Sequence, residues 1–227
     1  MSDRKLAVVL LSGGLDSCVT AAVAGQDYDL ALFHGNYGQR TVRRELQAFR
    51  ELAVFFRCRH LLEANLDYLG AIGGSSLTDA SLAIPQTDTE SEELPSTYVP
   101  FRNTILIAAV VAWAEVIGAS AVFIGANIID GPDYPDCRPD YFNAYNRLIE
   151  LGTRPGTHIR IHTPLIHLDK ADIIRLGLKL QVPLELTWSC YRNEDRACGC
   201  CPSCRIRLKG FAEVGIKDPI LYDEENL

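Results

Sequence analysis

The sequence predicts an α/β protein: a doubly wound, mostly parallel sheet with a small cysteine-bearing segment at its C-terminal end. Three observations carry this. Residues 6–11 form an unbroken apolar run, the mark of a strand covered on both faces. Similar runs then alternate with helical periodicity, the order that builds parallel sheets. Five of the eight cysteines fall between Cys190 and Cys204, a density no ordinary core needs. We expect residues 1–185 to form the main α/β domain and 186–227 a segment packed on it.

The first unit joins strand 6–11 to a helix over about 17–25 through Ser12-Gly13-Gly14-Leu15-Asp16-Ser17. Without Cβ atoms at Gly13 and Gly14 the loop can bend tightly. It can then bring main-chain N–H groups and a helix start against an anion. Ser12 and Ser17 add hydroxyl donors, and Asp16 can hold Mg²⁺ or cap the helix. No Gly-Lys-Ser/Thr follows, so this is not a Walker A loop. It resembles instead the S-G-G-x-D-S pyrophosphate loop of the PP-loop ATPases, which split ATP between its α and β phosphates.

A second strand, 30–33, ends in a loop over 34–40 dense in hydrogen-bonding groups. Thr41 reads as the N-cap of a helix to about residue 56, with Leu46, Phe49, Leu52 and Ala53 on one face. Residues 59–62 read as a short third strand. Sheets of this winding bind ligands at the C-terminal ends of their strands, which sets residues 12–17 beside 36–40. The stretch 77–97, with Asp79, Asp88, Glu90, Glu92 and Glu93, is expected as a long surface loop, either a lid or a solvated insert.

Arg102 and Asn103 open a buried helix over 104–117, placed either to face the site or merely to cap. A strand over 121–125 follows. Residues 126–140 then form a loop rich in Asp and Pro, where position after a strand favours a site over plain turn chemistry. A helix over 141–151 carries Phe142, Tyr145 and Leu148 on one side, and 159–162 reads as a strand. Asp169 caps a helix to about residue 180, striped by Ile173, Ile174, Leu176 and Leu180. Lys170, in its first turn, opposes the helix dipole, a hint that it serves an anion.

Composition narrows the function. A net charge of −7 and a pI of about 5.2 exclude bulk nucleic-acid binding but allow a small anion in a local basic pocket. Glu115 and Gly118-Ala119-Ser120 divide the most apolar region into helix and strand, not a membrane span. The polar start, Ser2 to Lys5, is no secretory signal, so a cytoplasmic protein is expected. In that compartment clustered cysteines favour metal ligation over disulfides. Cys190, Cys198, Cys201 and Cys204 follow C-x7-C-x2-C-x2-C, which suits one tetrahedral structural Zn²⁺. An iron–sulfur cluster is the rival, though the x7 arm does not fit it. Cys200 is left over. His158, His162 and His167 lack companions at metal spacing.

Together these residues resemble the 7-cyano-7-deazaguanine synthase family of PP-loop ligases, in queuosine precursor synthesis. The resemblance rests on SGGLDS, Asn36-Tyr37-Gly38-Gln39-Arg40, Thr97-Tyr98-Val99-Pro100 with Arg102-Asn103, Tyr134-Pro135-Asp136-Cys137-Arg138-Pro139, and Trp188-Ser189-Cys190-Tyr191 through Cys204. Two departures stand near the presumed substrate loop: Asp130-Gly131-Pro132-Asp133, where Asp-x-Ser-Gly is usual, and Phe101, where Gly or Ala is common. The resemblance implies an adenine nucleotide alpha hydrolase-like fold, the cofactors ATP, Mg²⁺ and Zn²⁺, and a homodimer. It also implies that 7-carboxy-7-deazaguanine and ammonia become 7-cyano-7-deazaguanine through adenylated intermediates. Leu11, Ser12, Gly13, Gly14, Leu15, Asp16, Ser17 and Gly125 would bind nucleotide. Asp16, Arg40, Arg102 and Lys170 would serve catalysis, while Tyr37, Gln39, Asn103, Asp136 and Arg138 would bind substrate. A tRNA thiolase using Cys137 and a non-enzymatic nucleotide and zinc binding module are the competing readings. The acidic balance weighs against the thiolase.

Overall fold

The computed structural model describes residues 4–85, 94–129 and 134–223. Five strands form one parallel sheet: β1 (Leu6–Leu10), β2 (Asp29–Asn36), β3 (His60–Asn65), β4 (Ala121–Ile124) and β5 (Arg160–His162). Their spatial order is β3-β2-β1-β4-β5. The chain thus winds outward from β1 in one direction, returns, and winds outward in the other. Loops leaving β1 and β4 part at that reversal and leave a crevice between them, the place where such sheets take ligands.

The helices are α1 (Leu15–Asp27), α2 (Val42–Phe55), α3 (Tyr68–Ile72), α4 (Arg102–Ile117), α5 (Pro139–Gly152), α6 (Lys170–Lys179) and α7 (Pro202–Val214). Strand β1 shows why the sheet is covered twice. Ala7, Val9 and Leu11 enter a core with residues of α1, α2, α6 and α7, while Val8 enters another with α4 and α5. Period-two alternation sends successive apolar side chains to opposite faces, so a strand with two buried faces must be apolar throughout.

Several expectations need correction. Leu148 is 56% exposed and Ile149 takes its place in the core. Counted at 100° per residue, Phe142, Tyr145 and Ile149 fall on one stripe of α5 and Leu148 lies well off it. The Thr41 hydroxyl does not cap α2; it donates to Glu45 Oε1 at 2.6 Å. Residues 77–97 are not wholly a surface loop. Leu77, Ile84 and Thr97 are buried, and the Arg40 guanidinium donates to the carbonyls of Asp79 and Leu82. Asp88, Glu90, Glu92 and Glu93 lie outside the described residues. Helix α3 was not legible as an element. The Asp169 cap is present, its carboxylate accepting from Asp172 N–H at 2.7 Å.

The cysteine-bearing segment is tied into the body. Trp188 N–H donates to Gly13 O at 2.9 Å. Helix α7 packs against α6 so closely that a Cβ on Gly210 would stand 2.6 Å from Lys170 Cγ. No helix among the described residues is long and apolar enough to cross a membrane.

Candidate active site

A cavity of about 350 Å³ opens at the reversal point of the sheet, above the ends of β1, β2 and β4. Its floor is the loop after β1. The first ladder bond of α1 runs from Cys18 N–H to Gly14 O at 3.0 Å, and no side chain caps the helix. The N–H groups of Leu15, Asp16 and Ser17 therefore lie outside the helical ladder, as donors suited to an anion. Ser17 Oγ donates to Gly14 O at 2.9 Å and lies 3.1 Å from Ser12 Oγ, so both hydroxyls are fixed at the mouth of the loop.

Two glycines set this geometry. Gly13 has φ +89°, and a Cβ there would meet Glu45 O at 2.7 Å and Ala48 Cβ at 2.9 Å. The loop thus rests on the first turn of α2. A Cβ at Gly125 would come within 2.9 Å of both Asp16 C and Ser17 N, so only glycine lets the end of β4 pass beneath the start of α1.

Asp16 sits inside α1 and caps nothing. Lys170 Nζ reaches its two carboxylate oxygens at 2.5 and 2.7 Å, and Asn127 Nδ2 donates to Oδ2 at 3.2 Å. Both partners are partly exposed to the cavity. Asp169 ends the preceding loop and starts α6, which aims Lys170 across at α1.

Arg102 faces the loop from the other wall. Its Nη1 donates to Tyr37 Oη at 3.1 Å, and its guanidinium lies 5.1 Å from the centre of the Tyr37 ring. Asn103 is held by Asp136: its N–H reaches Asp136 Oδ2 at 3.3 Å and its Nδ2 reaches Asp136 O at 3.2 Å. Burial pushes the Asp136 carboxyl upward and Arg102 opposes the shift. Cys137 lines the cavity, but burial and the neighbouring Asp136 push its thiol up to about 11, so it is a neutral thiol near pH 7 and a poor nucleophile.

The structure brings together on this cavity Ser12, Gly14, Leu15, Asp16, Ser17, Gly125, Tyr37, Arg102, Asn103 and Lys170 from the residues singled out in the sequence. It does not bring the others there. Leu11 is fully buried in the core, and Gly13 lies beneath the loop. Arg40 serves the 77–97 segment. Gln39 braces Tyr37 and Glu45; Asp136 braces Asn103. Arg138 stands at the start of α5, off the cavity lining. Of the two departures, Phe101 is 62% exposed with φ +59°. A left-handed backbone there explains why glycine suits the position. Residues 130–133 lie outside the described residues.

Other lining groups were not singled out as site residues: Asn127 and Tyr134 in the 126–140 loop, Trp188, Ser189 and Tyr191 in a stretch quoted for the resemblance, and Glu45 and Arg207, which carried no sequence signal. Glu45 lies in the first turn of α2, where acids are common for helix reasons alone. Arg207 is 1% exposed and fully engaged, to Asp218 at 2.7 and 3.0 Å, Thr187 at 2.7 Å and Leu184 O at 3.1 Å.

Behind that wall the Sγ atoms of Cys190, Cys198, Cys201 and Cys204 lie within 4.8 Å of one another, all buried. Four thiolates about 2.3 Å from a tetrahedral ion would stand roughly 3.8 Å apart, so the donor set fits a closed metal site. N–H groups of Arg192, Asn193 and Cys198 donate to Cys190 Sγ at 3.3 Å, as suits a thiolate. Cys200 lies outside the cluster, only partly buried.

Residues 6–215 match the model of the family described as queuosine biosynthesis protein QueC. The chain is 51% identical over 218 residues to 7-cyano-7-deazaguanine synthase of Chlorobium chlorochromatii, covering 96% of each. It is 53% identical to that of Chlorobium luteolum over 218 residues, again 96% of each. Among solved structures, an NH3-dependent NAD synthetase from Campylobacter jejuni superposes loosely, with a TM-score of 0.46 at 17% identity over 82% of this chain and 68% of that one.

Proposed function

Since this chain belongs to the family of the queuosine biosynthesis protein QueC, we propose that it converts 7-carboxy-7-deazaguanine and ammonia into 7-cyano-7-deazaguanine at the expense of ATP. The observation that carries this reading is the uncapped start of α1, with Lys170 held on Asp16, opening into the same cavity as Arg102 and its aromatic neighbours. A nucleotide's phosphates and a planar acid can meet there.

A carboxylate is a poor electrophile because it has no good leaving group. Transfer of AMP to a carboxylate oxygen releases pyrophosphate and supplies one. Ammonia then displaces AMP to give the amide. A second adenylation, on the amide oxygen, lets AMP depart with that oxygen, and loss of two protons leaves the nitrile. The main-chain N–H groups of Leu15 to Ser17 and the Ser12 and Ser17 hydroxyls hold the phosphates. Lys170 and Arg102 supply positive charge where negative charge develops, the contribution that dominates such transfers. Asn103, braced by Asp136, and Tyr37, braced by Gln39, orient the acid. Arg40 acts through the 77–82 backbone it clamps.

Asp16 with Asn127 would hold Mg²⁺, which shields phosphate charge when bound. The four cysteines would hold a structural Zn²⁺, since a closed four-sulfur site keeps no position for substrate. We take residues 186–227 as a segment folded with domain 1–185, the protein as cytoplasmic, and its working form as a homodimer. A sulfur-transfer role for Cys137 is disfavoured by its neutral thiol. The test is mass spectrometry after mixing the protein with ATP, Mg²⁺, ammonium and 7-carboxy-7-deazaguanine. The nitrile and the amide should both form, with AMP and pyrophosphate; ATP turnover without either product would overturn the assignment.

A further inference from the structure

The carboxylate of Glu45 has no role in the chemistry above, yet it lines the cavity. Its two oxygens are each held by one side chain: Oε1 accepts from Thr41 Oγ1 at 2.6 Å, Oε2 from Gln39 Nε2 at 3.1 Å. The Gln39 amide cannot turn round, because its Oε1 is already committed to Tyr37 N–H at 2.9 Å. Among the described residues no cation lies within ion-pair distance of this carboxylate. It caps no helix N–H either.

A carboxylate has about four acceptor positions. With one donor on each oxygen, each keeps a free position, and the two lie side by side. Tyr37 and Tyr191, both lining the cavity, offer ring faces nearby. The main chain of Glu45 itself touches the phosphate loop at Gly13. A group so placed can sort two similar rings in one cavity. Adenine sets a single 6-amino donor beside an acceptor at N1, and a carboxylate repels that acceptor. A guanine-like 2-amino-6-oxo ring presents N1–H and a 2-amino N–H in parallel, which a carboxylate accepts in pairs.

Resting on the substrate assigned above, we propose that Glu45 is the specificity-determining residue that accepts the N1–H and 2-amino donors of the deazapurine, and so keeps ATP's adenine out of that half of the cavity. Burial pushes the Glu45 carboxyl upward, as fits an acid left short of donors until a ligand brings them.

The test is equilibrium binding by titration calorimetry on the full chain. The ligands are 7-carboxy-7-deazaguanine, its counterpart lacking the 2-amino group, and a nonhydrolysable ATP analogue. The wild-type protein should bind the deaminated ligand about 10- to 100-fold more weakly, the cost of one lost hydrogen bond to a charged group. Glu45→Gln should bind the parent more weakly by a similar factor, discriminate less than about threefold between the two acids, and hold the ATP analogue no more weakly than wild type does. Equal wild-type affinity for the two acids would overturn the proposal without recourse to any variant. So would full discrimination surviving in Glu45→Gln. If discrimination behaves as stated but no nitrile forms, the reaction assignment falls and Glu45 stands. If nitrile forms and discrimination is indifferent to Glu45, the reverse holds.

Discussion

Lys170 and Asp16 show what one residue contributes here. They lie 154 positions apart in sequence and meet at 2.5 Å on the lining of the cavity. The pair is half-buried, so the cost of desolvation offsets most of its attraction and it adds little net stability, within about 1 kcal/mol. On the proposed reaction its worth is positional: Asp16 would hold the ammonium where phosphate charge develops. Lys170→Met should therefore lower kcat/KM about 100-fold, with a melting temperature within about 3 °C of wild type in calorimetry. Glu45 makes the opposite bargain. Its folded-state carboxyl is raised by desolvation, so the folded protein binds that proton more tightly than the unfolded chain does. Its stabilising influence is whole below the unfolded value near pH 4.3 and is lost as pH rises through the folded value. Glu45→Gln removes the ionisation and should raise stability at pH 7.5 by about 1 kcal/mol, the gain fading as pH falls through the folded value and gone below about pH 4.3. A variant less stable than wild type at pH 7.5 would contradict this.

At the scale of the element, the site depends on how closely β4 and α2 crowd the start of α1. Gly13 rests against α2 and Gly125 passes under α1, both at separations that exclude a Cβ. Gly125→Ala should push the first turn of α1 off the end of β4 by a few tenths of an ångström or more. Overpacking of this kind costs about 1–3 kcal/mol, leaving the chain folded by circular dichroism. The misplaced phosphate donors should raise the KM for ATP at least about tenfold. An unchanged KM would mean that the loop is held by contacts other than these. Arg40 acts on another element: its guanidinium clamps the carbonyls of Asp79 and Leu82, which explains why a basic residue beside the cavity does not line it.

For the whole molecule, the cysteine cluster and the α/β body should behave as one cooperative structure. Trp188 donates to Gly13 beneath the phosphate loop, and Arg207 ties Thr187 and the Leu184 carbonyl to Asp218. Trp188, Ser189, Tyr191 and Arg207 then form one wall of the cavity. Removing the metal should therefore cost activity as well as stability. The protein should carry one equivalent of zinc by elemental analysis. Stripping it with a chelator should lower the melting temperature by roughly 10 °C, on the order of 3 kcal/mol, and abolish turnover. Cys204→Ser should do the same and Cys200→Ser should not. Both halves should melt in one calorimetric transition; two resolved transitions would show the segment to be independent.

Much of this was legible in one dimension. Strand apolarity, helix periodicity, the glycine–serine loop and the cysteine spacing are local patterns. Each reports a local cause: two-sided burial, one-sided burial, backbone freedom, ligand geometry. They led to the parallel sheet, to Ser12–Ser17, to the Asp169 cap and to four of five clustered cysteines. What they could not express was which distant side chains share a cavity. Glu45 reads as a routine first-turn acid and Arg207 as a routine helical base, because the same composition serves solvent, core or site equally well. Arg40 reads as a phosphate ligand until the 77–82 backbone is seen to occupy it. The winding of the sheet about β1 decides these assignments, since only the packed chain brings residues 13, 45, 125 and 188 within touching distance of one another's elements.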